Sequence, residues 1–256
     1  MEIKPVIVTA LFDIKREGWK HHNQSMGGYL HWMERMLSIK NRMVIYTEDD
    51  LKDSIKEKRD LYFDDTHYVI DTKEQLLASQ LHYTHLNKLM LSDEFKNKIH
   101  FPHVPEMREI WYNILMFNKV WWMLDASERV DGTHYVWVDA GCFREDIINK
   151  EWPSKDKMRD KPLFFSHNLD FELNNGEEWH CLSQVRNIQG TCFVIPKKDL
   201  EDIATQFYHK VVNCIKQGYI GSDEKILDLL YLDNIDKWDL YKCDWREYLD
   251  ILSNNN

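Results

Sequence analysis

The run VIVTALF (Val6–Phe12) decides how the rest of the chain is read. It is continuously apolar and rich in β-branched residues. A strand of that kind is covered on both faces, as in a parallel sheet flanked by helices, and it belongs at the centre of the sheet. The polar stretch DIKREGW (Asp13–Trp19) follows at once. Tyr29, Met33, Met36 and Leu37 then recur at helical spacing, and MVIYTEDD (Met43–Asp50) supplies a second strand. Mixed charges between Asp49 and Asp65 read as a solvated helix or loop, and HYVID (His67–Asp71) as a third strand.

The region from Glu74 to Ile99 is helical but less regular. HFPHVPEMREIW (His100–Trp111) carries two prolines, the second placed for the first turn of a new helix. Ile110, Ile114, Phe117, Trp121 and Leu124 give that helix a 3.6-residue period. The turn RVDGT (Arg129–Thr133) leads it into HYVWVDAGCFRED (His134–Asp146), a strand ending at Asp139 and followed by small residues and an arginine between acids. PLFFSH (Pro162–His167) and GTCFVI (Gly190–Ile195) are further strands, separated by a polar insertion, Asn168 to Asn187, suited to a flexible lid. Ile203, Phe207, Val211 and Ile215 mark an amphipathic helix ended by the glycines of QGYIG (Gln217–Gly221). Ser222 then caps a helix beginning Asp223, Glu224, WDLYKCDW (Trp238–Trp245) is a late edge strand, and SNNN at the end is a frayed tail. Alternating strands and helices predict an α/β fold with a mostly parallel sheet, and ligands bind such sheets at the carboxyl ends of their strands.

The chain has 256 residues, 43% of them hydrophobic, which suits one domain over 1–256. With a net charge of −10 its overall field repels nucleic acid and anionic membrane surfaces, so an anionic ligand needs local cations or a metal. The start MEIKPVIVTALF is neither a signal peptide nor a membrane span, which predicts no membrane insertion. Five scattered cysteines without a C-x-x-C pair argue against a disulfide framework and a zinc site, and point to a reducing, cytoplasmic setting. No P-loop, G-x-G-x-x-G or G-x-S-x-G occurs, which removes the commonest NTPase, dinucleotide and hydrolase readings.

Four groups of residues carry candidate chemistry, each with a structural alternative. Asp139, at a strand end before the small Ala140 and Gly141, is placed to meet a divalent cation or a ribose, or else closes an Asx turn. Thr9 and Asp13 stand where a base and ribose are held and Arg16 where phosphates are, unless Asp13 is a cap and Arg16 a surface residue. Asn118 and Lys119 interrupt the aromatic run MFNKVWWM (Met116–Met123), where the lysine either neutralises a diphosphate or forms the polar stripe of its helix. Asp223 or Glu224 is a candidate general base, although acids at a helix start also serve the macrodipole, which predicts a low pKa. His167, at a strand end, is the histidine to watch.

Taken together and in order, VIVTALFDIKREGW, YLHWMERML, MVIYTEDD, FNKVWWMLDA, HYVWVDAGCFRED, IQGTCFVI, GSDEKIL and LYKCDW resemble the HtrL/YibB family. These are glycosyltransferase-like proteins of bacteria, with relatives in large DNA viruses and some eukaryotes. The resemblance implies a GT-A-like, Rossmann-like fold with a nucleotide-sugar-binding half (about 1–140) and an acceptor-binding half (about 141–256). It implies a nucleotide-sugar donor held by Thr9, Asp13, Arg16, Asn118, Lys119, Asp139, Ala140 and Gly141, and a glycan or glycoside acceptor beside His167, Gly190 and Thr191. In such enzymes an Asp-x-Asp motif holds Mn²⁺ or Mg²⁺ on the diphosphate. Here that motif reads Asp139-Ala140-Gly141, leaving Asp139 as the metal residue.

The implied reaction is an inverting transfer with Asp223 or Glu224 as base, in the cytoplasm, of the host cell if the chain is viral. The donor is a UDP-sugar, leaning to UDP-xylose. The alternatives are an inactive carbohydrate- or nucleotide-binding protein of the same fold, and a metal-dependent phosphoesterase built on Asp139, Asp223 and Glu224.

Overall fold

The computed structural model describes residues 2–145, 150–173 and 175–253. Asp146, Asn174 within the polar insertion, and 254–256 of the terminal SNNN lie outside the described residues. Four parallel strands form one half of a seven-stranded sheet in the order β3-β2-β1-β4: β1 (Pro5–Leu11), β2 (Met43–Thr47), β3 (Thr66–Ile70) and β4 (His134–Val138). β5 (Leu163–Ser166), β6 (Ile188–Pro196) and β7 (Asp239–Lys242) continue it in the order β4-β6-β5-β7. β6 runs antiparallel to β4 and β5, and β7 parallel to β5. β1, β2 and β4 are buried nearly end to end, as their apolar runs require, whereas the outer β3 is partly exposed.

Helices cover both faces. On one lie α3 (Leu77–Leu91), α5 (Ile110–Arg129), α7 (Leu200–Lys216) and α8 (Asp223–Asp233), packed over Val6, Val8, Tyr135 and Trp137. On the other, α1 (Met26–Leu37), α2 (Asp49–Asp60) and α9 (Tyr248–Ile251) meet Ile7, Val136 and Val138. Alternate residues of β1 and β4 thus feed two separate apolar layers, as the two-residue period of a strand dictates. α4 (Asp93–Lys98) and α6 (Gly176–Leu182) are short additions at the rim.

The Asp49–Asp65 region is a solvated helix to Asp60, with only Ile55 and Arg59 buried, within what its mixed charges predict. Three other local expectations are revised. Pro105 opens a separate 3-10 turn, and α5 starts five residues later at Ile110. The buried side of α5 is not purely apolar: Asn113, Asn118, Lys119 and Ser127 are buried along with Ile114, Phe117 and Trp122 against α3, α7 and the sheet, whereas Ile110, Trp121 and Leu124 are only partly buried. The insertion is also no free lid in its described part. α6 carries His180, which is tied to Asp228 of α8 at 2.9 Å, and Asp228 also accepts the Ile188 N–H at 2.8 Å.

The chain leaves β1 toward β2 and β3 on one side and returns through α5 to β4 on the other. Strand order therefore reverses between the carboxyl ends of β1 and β4, where open α/β sheets leave a crevice. β6 reaches past the end of β4, since Val138 pairs with Cys192, so Gly190 and Thr191 stand beside Asp139.

Candidate functional site

Asp139 is the first residue beyond β4, and Trp137, two residues earlier, projects on the same side of the strand. The Trp137 ring stacks on Trp122 of α5 with centroids 5.6 Å apart and planes 8° apart. Phe12 and Tyr46 stack on Trp122 as well. This column fixes the indole, whose Nε1–H donates to Asp139 Oδ1 at 2.7 Å. Lys119 lies one turn before Trp122 on α5, and its ammonium reaches Asp139 Oδ1 at 3.0 Å and Oδ2 at 3.3 Å. The main-chain N–H of Asp139 bonds to the Thr191 carbonyl at 2.9 Å. The Asp139 carboxylate is thus held by tertiary contacts rather than spent on a local turn.

Lys119 is 2% exposed and serves two further acceptors, Asp223 Oδ2 at 2.8 Å and the Gly190 carbonyl at 2.8 Å. Burial alone would depress its pKa, but Asp139 and Asp223 outweigh burial and hold the ammonium above its ordinary range. Asp139 is raised by burial and by the Asp223 charge, against the pull of Lys119. Asp223 and Glu224 open α8, and a glycine at 190 is what lets them in. A Cβ there would stand 2.3 Å from Asp223 Oδ2 and 3.1 Å from Glu224 Cγ. The Gly190 N–H donates to Glu224 Oε1 at 3.2 Å.

Burial and the neighbouring Asp223 push Glu224 up to about 7. The low value expected from the helix start is overturned, because loss of water and a like charge outweigh the macrodipole. Ser222 does occupy the N-cap position, but its hydroxyl caps nothing; its carbonyl takes the first helical bonds, from Lys225 and Ile226.

In front of Asp139 lies a cleft of about 220 Å³. The residues after β1, Asp13 and Arg16, line one side of it, and Asp139, Ala140, Gly141, Arg144 and Thr191 the other, with Tyr29, Tyr112 and Trp245 supplying aromatic surface. Asp13 is turned to Lys15, whose pull outweighs burial and keeps the carboxyl below its usual range. Arg16 donates to the Tyr29 hydroxyl and to the His22 carbonyl, at 3.1 and 3.2 Å for the latter. Arg144 lies between two tryptophans, its guanidinium 4.2 Å from the Trp32 ring centre and 4.7 Å from that of Trp245. The Tyr29 hydroxyl is pushed up by burial, with Arg16 and Arg144 pulling it down and Asp139 pushing it up, so all three charges act at one place.

Of the residues singled out in the sequence, Asp13, Arg16, Asp139, Ala140, Gly141 and Thr191 share this cleft. Lys119, Gly190, Asp223 and Glu224 form a buried layer joined to it through Asp139. Lys119 does not line the cleft; it is the counter-ion of the carboxylates. Thr9 is fully buried inside β1 and does not line the cleft. Asn118 faces away from it, accepting the Ala78 N–H at the start of α3 and donating to the Ile114 carbonyl, because neighbouring residues of a helix point about 100° apart. His167 follows the end of β5, two strands from β4, where its main-chain N–H bonds to the Asn187 carbonyl. Sequence reasoning missed Tyr29, Trp137, Arg144 and Trp245. Only Trp137 carried a local signal, its i−2 spacing from Asp139.

The donor set does not fit the Mn²⁺ or Mg²⁺ that the Asp-x-Asp resemblance implies. Asp139 commits both oxygens to Trp137 and Lys119. A Cβ at Gly141 would lie 3.1 Å from Tyr29 Cε1, so an aromatic ring fills the place of a second carboxylate. Among the described residues no three His, Cys, Asp or Glu side chains gather to hold a cation. Asp139 and Asp223 do converge, but on an ammonium.

Fold and site together define an α/β protein with a ligand crevice at the carboxyl ends of a mostly parallel sheet and a buried, lysine-centred carboxylate layer beneath it. The chain belongs to the HtrL_YibB family, described as a bacterial protein of unknown function, whose sequence profile matches residues 4–253. It is 27% identical over 160 residues to protein HtrL of Escherichia coli (strain K12), a match covering 57% of this chain and 54% of that protein, about half its length. Among solved structures it is similar to mouse xyloside xylosyltransferase 1 in its apo form (TM-score 0.49, 8% identity, 98% of this chain and 92% of that one). It is also similar to the galactosyltransferase LgtC in complex with donor and acceptor sugar analogues (TM-score 0.48, 12% identity, 92% and 72%). A third is 4-diphosphocytidyl-2C-methyl-D-erythritol synthase from Anaerococcus prevotii (TM-score 0.43, 12% identity, 95% and 90%). No helix among the described residues is long and apolar enough to cross a membrane.

Proposed function

We propose that this protein is a glycosyltransferase that moves a sugar from a nucleotide sugar to an acceptor hydroxyl. One observation carries the reading: a crevice at the reversal of strand order, with two arginines and Asp139 on its walls, adjoins a partly buried carboxyl pushed up to about 7, that of Glu224. A base near neutrality is suited to deprotonating a hydroxyl that attacks in the same step. The acceptor oxygen forms the new bond to the anomeric carbon while its proton passes to Glu224. The bond from that carbon to the diphosphate breaks, and its electron pair leaves on the diphosphate oxygen. Asp223 keeps Glu224 from ionising early, and Lys119 keeps Asp223 and Asp139 in place. The ring of Tyr112 on the cleft wall offers apolar surface to the sugar.

UDP-sugars are the donors to test first, UDP-xylose among them, with GDP- and CMP-sugars as the comparison. The assay is release of nucleotide from each donor, with and without a glycoside acceptor. The reading expects acceptor-stimulated release that is lost in Glu224→Gln. Binding without release or transfer from any donor supports an inactive binding protein instead. Phosphate release from simple esters supports a phosphoesterase.

A further inference from the structure

The disagreement between the cleft and a metal site extends to what stands there instead. Arg16 and Arg144 come from opposite walls, one after β1 and one after β4, and both line the same cleft. Neither pairs with a carboxylate among the described residues. A guanidinium offers five N–H donors in a plane. Arg144 uses one of them, Nε, on the Gly141 carbonyl at 3.4 Å, and no other protein acceptor for it occurs among the described residues. Arg16 is set by the His22 carbonyl and the Tyr29 hydroxyl, and its guanidinium lies 5.0 Å from the Trp19 ring centre.

Both side chains are therefore oriented before any ligand arrives, by rings rather than by anions. An aromatic face steers a cation without neutralising it, so each keeps its charge for an incoming anion. Tyr29 links the two: it accepts from Arg16, packs edge-on to the Trp32 under Arg144, and covers Gly141, where a second carboxylate would have recruited a metal. In a chain of net charge −10, two arginines on one cleft with no carboxylate partner among the described residues are a local exception to the field.

Resting on the nucleotide-sugar reading above, we infer that Arg16 and Arg144 together hold the donor diphosphate, so that the protein binds nucleoside diphosphates and transfers sugar without a divalent cation. Planar, bidentate contacts from the two guanidiniums supply the charge stabilisation that the departing diphosphate requires.

Calorimetric titration of the whole protein with UDP, in EDTA and in Mn²⁺, tests this, with GDP and CMP as parallel probes and uridine as the phosphate-free control. The expected result is a UDP affinity in EDTA within about threefold of that in Mn²⁺, and a loss of roughly tenfold or more in each of Arg16→Met and Arg144→Met. Uridine binding is expected to stay within about twofold in both variants, because the lost contacts are to phosphate alone. Arg144 is exposed and bound mainly by ring contacts, so its variant should melt with the parent and keep the test free of folding loss. UDP binding that appears only with Mn²⁺ overturns the inference and leaves the glycosyltransferase reading standing. Equal losses for uridine and UDP overturn the phosphate role. No binding of any of the three nucleotides, with or without metal, overturns the nucleotide-sugar reading and this inference with it.

Discussion

Replacing Lys119 with methionine keeps the length of the side chain and removes the ammonium that Asp139, Asp223 and the Gly190 carbonyl share at 2.8–3.3 Å. Asp223 is 4% exposed and cannot turn to water; Asp139, at 28%, partly can. Breaking a buried pair by deleting one partner destabilises by ~3–5 kcal/mol, and the relief open to Asp139 favours the lower end. For a chain of this size that is a fall in Tm of about 6–20 °C.

The loss should depend on pH, with a sign fixed by the carboxylates left behind. Burial holds the Asp139 carboxyl above its ordinary value even with Lys119 beside it, and more so without it, so the native state of the variant binds the extra proton. The penalty is absent below the unfolded value of about 4 and grows as pH rises through the folded value. Urea unfolding at about pH 5 and about pH 8 should therefore show the larger deficit at the higher pH. Adding Asp223→Asn to Lys119→Met should recover part of it, since the two changes act on one ion pair. A deficit under about 1 kcal/mol, the value of an ordinary surface pair, or one that is larger in acid, would refute the shared-ammonium account.

Three other perturbations follow from the same layer. Glu224→Gln should lower transfer by about 10²–10⁴-fold with UDP affinity unchanged, and remove the pH dependence of rate near about 7. It should also flatten stability against pH: the native carboxyl titrates above its ordinary 4.5, so its contribution is full below that value and lost as pH rises through about 7, which melting curves across that window will show. Gly190→Ala places a methyl 2.3 Å from Asp223 Oδ2, and should cost ~1–3 kcal/mol in urea unfolding as α8 is forced off β6. Trp137→Phe keeps the stack on Trp122 but removes the 2.7 Å bond to Asp139, and should lower stability by ~1.5–3 kcal/mol, read as a shift in Tm, together with transfer rate.

The strands were legible because burial on both faces writes itself as an unbroken apolar run: VIVTALF, MVIYT and HYVWV are β1, β2 and β4 almost to the residue. β7 was legible as an edge strand in WDLYKCDW and does stand at the edge of the sheet. α5 was read as a helix but given the wrong kind of surface. Packing against α3, α7 and the sheet buries Asn113, Asn118, Lys119 and Ser127 beside apolar residues, and periodicity cannot report a polar group that is buried with its partner. Thus Lys119 looked like part of a solvated stripe, although its partners are 20 and 104 residues away along the chain.

Asp139 could be found from its place at a strand end before two small residues. Arg144 could not, because what makes it notable is Trp32 and Trp245, which only the folded chain brings to it. The acidity of Glu224 was misjudged for a related reason. The helix start is visible in the sequence, whereas the burial and the orientation of Asp223 that override it are products of packing against β6.

The ammonium shared by Asp139 and Asp223 also limits how this sequence can drift. The layer beneath the cleft sets one ammonium against two aspartates, with a third acid, Glu224, pushed up to about 7 beside them. Loss of the charge on any single member leaves its partners uncompensated where water reaches at most the Asp139 edge, so tolerated charge changes should arrive in matched pairs. Positions 119, 139 and 223 lie on three separate elements, far apart in the chain, yet they are constrained to vary together as if they were one composite residue.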